Sequence, residues 1–206
     1  MKKPFLFSLA SCLISTFSFA QISPVVSSWL HNTTETGSYY VSGNSTAIDN
    51  GILVNCQKVE YSDNNVYIHT RGIPAYTTGP FQDGNPSNAE DQDLIFKFPL
   101  NPQENTGTKT TTNAGKIGVF INGVALYDYR DGVAWNPNTQ APCGGPGNDP
   151  CPGGPQASQD WNRDAIPAEK EGFDCSKGHP AMGDYHHHQN PSAFKLDKEI
   201  ASTICN

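Results

Sequence analysis

Four of the six histidines in this 206-residue chain fall within ten positions: His179, His186, His187 and His188, beside Cys175 and the carboxylates Asp174 and Asp184. Neutral imidazole is a ligand for copper, zinc, iron and nickel. If Tyr185 to His188 is a strand, His186 and His188 share one face about 7 Å apart along the backbone, and Tyr185 and His187 share the other. Turns at Gly178 and Gly183 would bring His179 back as a third nitrogen. Three imidazoles on a β scaffold suit one copper or zinc ion with a position open to water or substrate. The same residues also fit a buried hydrogen-bonded His/Tyr/Asp network, or metal-free general acid–base catalysis.

The other chemistry-bearing groups point less sharply. Asp83, Glu90, Asp91 and Asp93 form an acidic cluster in a long loop, but no calcium-loop spacing with a terminal glutamate is present, which favours a solvated acidic segment. No C-x-x-C pair exists, so zinc-ribbon chemistry is excluded. Cys143 and Cys151 bracket a Gly/Pro loop and are expected to form a local disulfide. The glycines neither link a strand to a helix nor precede Lys-Ser/Thr, so no nucleotide cofactor is expected. Asn32-Thr33-Thr34 and Asn44-Ser45-Thr46 fit glycosylation sequons.

The elements that must position these groups read as hairpins. Ile52 to Tyr61 and Val66 to Thr70 are β-rich runs around a polar turn at 62–65, with His69 on the wetter face. Leu94 to Leu100 reads as a strand. Val119 to Ile121 and Val124 to Tyr127 flank Asn122-Gly123, a pair suited to a type I′ turn. Residues 135–159 are expected to be an irregular, disulfide-stapled loop insert. The predicted fold is therefore mainly β, with antiparallel hairpins in a sandwich-like or barrel-like domain, long Gly/Pro-rich loops and little helix.

Composition excludes several classes. Glycine and proline number 19 and 16, above the usual share but short of a disordered or collagenous chain. The net charge of -7 argues against a nucleic-acid partner. Lys2 and Lys3, an uncharged apolar run from Phe5 to Phe19 and Ser18-Phe19-Ala20 read as a signal peptide over 1–20, with residues 21–206 as a single domain. The run is too short for a stable membrane span. A lipoprotein anchor at Cys12 is the weaker reading, because the apolar sequence before it is short and continues past it. Secretion, or a periplasmic or cell-surface location, is the expected outcome. Cleavage would leave five cysteines, an odd number in an oxidising compartment.

Gly178, His179, Pro180, Gly183, Tyr185-His186-His187-His188 and Pro191 together resemble the signature of the YHYH-domain proteins. Gly72-Ile73-Pro74, Thr78-Gly79-Pro80-Phe81, Phe98 to Pro102 and Ile117 to Val124 extend the likeness over roughly residues 70–206. The resemblance implies an exported protein of a family without an established activity. His186 and His188 match the signature histidines and Tyr185 the first tyrosine; His187 stands where the second tyrosine is found. Family members often carry a histidine at the position of Tyr76. The resemblance also implies sequence continuing past residue 206, so that the domain would be C-terminally incomplete and Cys205 without its partner. Two function classes are compatible with these residues. One is a metalloprotein with His179, His186 and His188 as copper or zinc ligands. The other is a non-catalytic extracellular module with a structural His/Tyr network, its loops around Tyr76, Phe81 and Trp135 meeting a glycan, small molecule or protein.

Overall fold

A computed structural model describes residues 23–81, 88–154 and 159–192. The segment 1–20 expected to be a signal peptide, Cys12, Asp83 and Cys205 lie outside the described residues. Twelve short strands and two short helices make up the described chain. They form four small sheets and no closed barrel among the described residues, as expected of a mainly β, sandwich-like chain rich in turn-formers. No helix among the described residues is long and apolar enough to cross a membrane.

Helix α1 (Pro24–Ser27) and strands β1 (Thr36–Tyr39) and β2 (Ile48–Leu53) open the fold. The β-rich run from Ile52 to Tyr61 is not one strand. Asn55 takes a positive φ of 62° and breaks it, so β2 pairs with β1 while β3 (Cys56–Tyr61) joins another sheet. Asparagine is among the few residues that enter this left-handed region readily. Strands β3, β4 (Asn65–Thr70) and β5 (Leu94–Pro99) form an antiparallel meander. Alternation along β4 buries Val66, Ile68 and Thr70 and leaves His69 half-buried, its Nε2 2.8 Å from Glu60. Cys56, Val66 and Ile68 make a core against Trp29, Phe96 and Phe98. In the acidic loop, Asp91 and Asp93 pair with Arg71.

Strands β6 (Lys116–Val119) and β7 (Ala125–Tyr127) form the hairpin expected from Asn122-Gly123, with a different turn. Phe120 N–H bonds the Val124 carbonyl and Gly123 N–H bonds the Phe120 carbonyl, which leaves a three-residue loop. Only Gly123 has positive φ, 78°, whereas type I′ needs two such residues. Asn122 is buried, and its side chain accepts from Val124 N–H instead of turning outward.

Strand β8 (Arg130–Asn136) is central to the sheet β10–β8–β9, with β9 at Ala141–Cys143 and β10 at Asn162–Asp164. The expected insert at 135–159 thus begins inside β8 and contributes a strand of its own. Trp135 and Asn136 pair with Pro142 and Ala141 because the ladder outlasts the start of the Gly/Pro-rich sequence. Cys143 and Cys151 form the expected disulfide. Cys175 is also disulfide-bonded. The free cysteine among the described residues is Cys56, whose thiol is pushed up to about 12 by burial. This thiol is a core side chain, enclosed by the apolar residues of the meander.

Helix α2 (Ala165–Glu169) is capped by Asp164, whose carboxylate accepts from Ile166 N–H, and runs into a 3₁₀ turn at Lys170–Gly172. Strands β11 (Gly178–Ala181) and β12 (Asp184–His187) form a hairpin, and β12 pairs in parallel with β7.

A methyl group at Gly123 would lie 2.3 Å from Thr70 Oγ1, in a backbone region that disfavours side chains. Gly123→Ala is therefore expected to lower the unfolding free energy by about 2–4 kcal/mol in urea titration. A loss below about 0.5 kcal/mol, the usual range for surface substitutions, would refute the tight packing of this tip.

Candidate metal centre

The signature hairpin is set by its turn. Met182 and Gly183 both have positive φ, 50° and 85°, the two-residue geometry expected at Asn122-Gly123 and found here. This turn fixes the register: His179 lies opposite His186, Pro180 opposite Tyr185 and Gly178 opposite His187. Opposite residues project to the same face, so the hairpin has two distinct sides. Gly178 is not a turn residue as expected. It is glycine because the Tyr185 and His187 rings cover it, and a methyl group there would lie 2.5 Å from the Tyr185 hydroxyl. The preceding turn lies at Asp174–Lys177, where Lys177 has positive φ. Pro180 sits in the edge strand of its sheet, and Pro191 is buried just beyond the hairpin.

One side holds a hydrogen-bonded network. His187 Nδ1 lies 2.9 Å from the Lys177 carbonyl, which only accepts, so this nitrogen carries the proton. Its Nε2 then accepts from the Tyr76 hydroxyl at 2.8 Å. Tyr185 donates to Asp174 Oδ2 at 2.8 Å. Asp174 also accepts from the backbone N–H groups of Gly79, Ser176 and Gly178, tying the Gly72–Phe81 loop to the hairpin. Burial pushes the Asp174 carboxyl up to about 6, against the downward pull of these donors. Burial also holds His187 down to about 4, so its ring is neutral at physiological pH.

Tyr76 is 1% exposed and Phe81 packs against the same core. Both rings are thus used inside the fold. Trp135 does reach the surface, at 42% exposure. The two departures from the YHYH pattern, His187 in place of tyrosine and Tyr76 in place of histidine, are direct hydrogen-bond partners.

The other side carries His179 and His186, joined by His188 just past the end of β12. Ring centres of His179 and His186 are 4.7 Å apart, and those of His186 and His188 5.0 Å apart. A fourth group, Glu169 at the end of α2, places Oε2 3.0 Å from His179 Nε2 and 3.3 Å from His188 Nε2. One donor atom from each of Glu169, His179, His186 and His188 lies within 4.8 Å of every other. Glu169 was not read from the sequence. The local signal for its helix is the Asp164 cap, but its approach to the histidines is a tertiary contact made when α2 docks on β8 through buried Ala165 and the Ala165 N–H to Tyr129 carbonyl bond.

The tautomers are fixed from behind. His186 Nδ1 lies 2.8 Å from the Asp184 carbonyl and His188 Nδ1 lies 2.6 Å from the Asp128 carbonyl. Carbonyls only accept, so both Nδ1 atoms carry hydrogen, leaving Nε2 on the other side of each ring to face the cluster. Backbone carbonyls commonly hold metal-ligating histidines in this way. Burial keeps His186 far below the ordinary histidine range, reinforced by the neighbouring His179. Burial pushes Glu169 upward, but its contacts with His179 and His188 outweigh this and bring it down to about 2. Tyr127 stacks on His186 with ring centres 3.7 Å apart, and its hydroxyl donates to Asp184, which also pairs with Lys116. A cleft of about 180 Å³ opens onto the four groups, bordered also by Tyr127 and Arg130.

A family model described as YHYH protein matches residues 95–204, just over half of the chain. The chain belongs to the YHYH family. No curated protein and no solved structure matches it. The matched region includes the whole signature hairpin, Glu169 and Asp174; Tyr76 lies upstream of it. In this YHYH protein the signature thus builds two different environments on one strand.

Tyr76→Phe removes the hydroxyl that donates to buried His187 Nε2. It is expected to cost about 1–3 kcal/mol in urea unfolding, with the His186 side of the hairpin unchanged. Unaltered stability would show that the Tyr76–His187 bond does not hold the loop to the hairpin.

Proposed function

We propose that this YHYH protein is an exported metalloprotein that binds one copper or zinc ion through His179, His186, His188 and Glu169. The observation that carries the reading is the convergence of four donor atoms within 4.8 Å, two of them nitrogens whose protons are committed to backbone carbonyls on the far side of the ring. Glu169 Oε2 joins the same focus, 3.0 Å from His179 Nε2 and 3.3 Å from His188 Nε2.

Three imidazoles and one carboxylate form a borderline donor set suited to zinc or copper(II). A tetrahedral zinc site with bonds of about 2.0–2.1 Å would draw these donors together by roughly an ångström. If Glu169 stays at hydrogen-bond distance instead, the three nitrogens alone leave the fourth position open to the cleft. Export is supported by the Cys143–Cys151 disulfide and by the bonded Cys175, since such bonds persist in oxidising compartments.

Protein from metal-replete cells is expected to retain about one equivalent of copper or zinc through desalting, consistent with the strong apparent affinities of four-donor sites. The His186→Ala/His188→Ala double variant is expected to retain less than about a tenth of that, measured by elemental analysis. Glu169→Gln is expected to weaken binding by about 10–100-fold in a competition titration with a chelator. Wild-type protein without stoichiometric metal, or a double variant with undiminished metal, would overturn the proposal.

A further inference from the structure

A second, larger cleft of about 790 Å³ adjoins the one above the His/Glu cluster, and the two share Asp131, Gly132 and Ala181 as walls. Its size is that of a pocket for a small organic molecule. Pro146 and Pro150 of the disulfide-closed loop, Ala181 and Met182 of the signature turn, and several glycines supply an apolar lining. Among its described wall residues only Asp131 is ionisable, and Arg163 neutralises it.

The amides of Asn148 and Gln159 are turned back to brace the loop, on the Gly144 and Pro152 carbonyls. Asn162 Oδ1 is likewise enclosed by the protein rather than open to the cleft.

We propose that this cleft receives a neutral, mainly apolar organic ligand and directs its far end past Gly132 to the His/Glu centre. The inference rests on the metal reading, because the far end of the ligand meets the ion. The apolar walls select for a hydrophobic body, the absence of a free charge disfavours an ionic one, and the shared wall sets the direction of approach.

The test uses the cobalt(II)-loaded protein, whose visible absorption reports ligands that enter the metal's coordination sphere. Imidazole and 4-phenylimidazole offer the same donor nitrogen, and only the second carries an apolar body for the larger cleft. Wild type is expected to bind 4-phenylimidazole about tenfold more tightly than imidazole. Gly132→Leu should abolish that preference, read as the ratio of the two affinities within the same variant. A β-carbon at Gly132, a wall the two clefts share, meets nothing nearer than 3.7 Å, the distance to Gly145 of the larger cleft. If that variant loses its native circular dichroism, Ala181→Leu narrows the same wall and should give the same result. Equal affinities in wild type, or a preference that survives both wall variants, would overturn the cleft proposal and leave the metal reading standing. Failure of wild type to acquire the cobalt absorption would overturn the metal reading, and the cleft proposal with it.

Discussion

Everything at the candidate site depends on the antiparallel pairing of β11 with β12. Because side chains alternate across a strand, this one pairing assigns neighbouring residues of the signature to opposite environments. Tyr185 and His187 go to a closed interior, where each polar atom must find a protein partner. His179 and His186 go to a cleft that Glu169 and His188 also line. A slip of one residue would exchange the two sets, placing His186 against the Tyr76 core and His187 in the cleft. The Met182–Gly183 turn prevents this. A two-residue loop with both residues left-handed permits only one register, and Glu90 packs against Gly183 while donating its N–H to the Gly183 carbonyl.

Each face is braced by parts of the chain far away in sequence. On the closed side, Asp174 gathers Gly79, Ser176, Gly178 and Tyr185, so that a single carboxylate joins the loop after β4 to both strands of the hairpin. On the cleft side, backbone carbonyls of Asp128 and Asp184 orient His188 and His186, and Tyr127 covers His186. Parallel pairing with β7 is what brings Tyr127 and Asp128 to these rings. The hairpin supplies three imidazoles, but their orientation belongs to the sheet around it.

The division of β12 into two faces was legible in the sequence, since strand periodicity depends only on residue order. So were the β4 alternation, with His69 on its wetter side, and the Cys143–Cys151 bond, which spans a short loop of glycine and proline. The features that escaped were set at longer range. The pair Asn122-Gly123 has the residues for a type I′ turn, yet the tip packs so closely on Thr70 that Asn122 is held inside and only Gly123 becomes left-handed. Met182 carries no turn preference and is nonetheless left-handed, because hairpin register outweighs local propensity. Glu169 reaches the histidines only through the docking of a five-residue helix, for which no periodic pattern exists.

The hydrogen-bond network and the metal centre were framed from sequence as competing explanations of the same histidines. In the structure the network takes one face of β12, and the His/Glu cluster of the proposed metal centre takes the other. His187 could not serve the cleft, because both ring nitrogens are committed to Lys177 and Tyr76. His186 could not serve the network, because its strand position turns it away from Tyr76. Exchanging a tyrosine and a histidine across one 2.8 Å bond preserves a donor, an acceptor and two aromatic rings inside the core. The cleft face is unaffected, since no atom of that pair lines it. The closed side is thus governed by the mutual satisfaction of its own polar atoms, and the cleft side by the convergence of four side chains on one point.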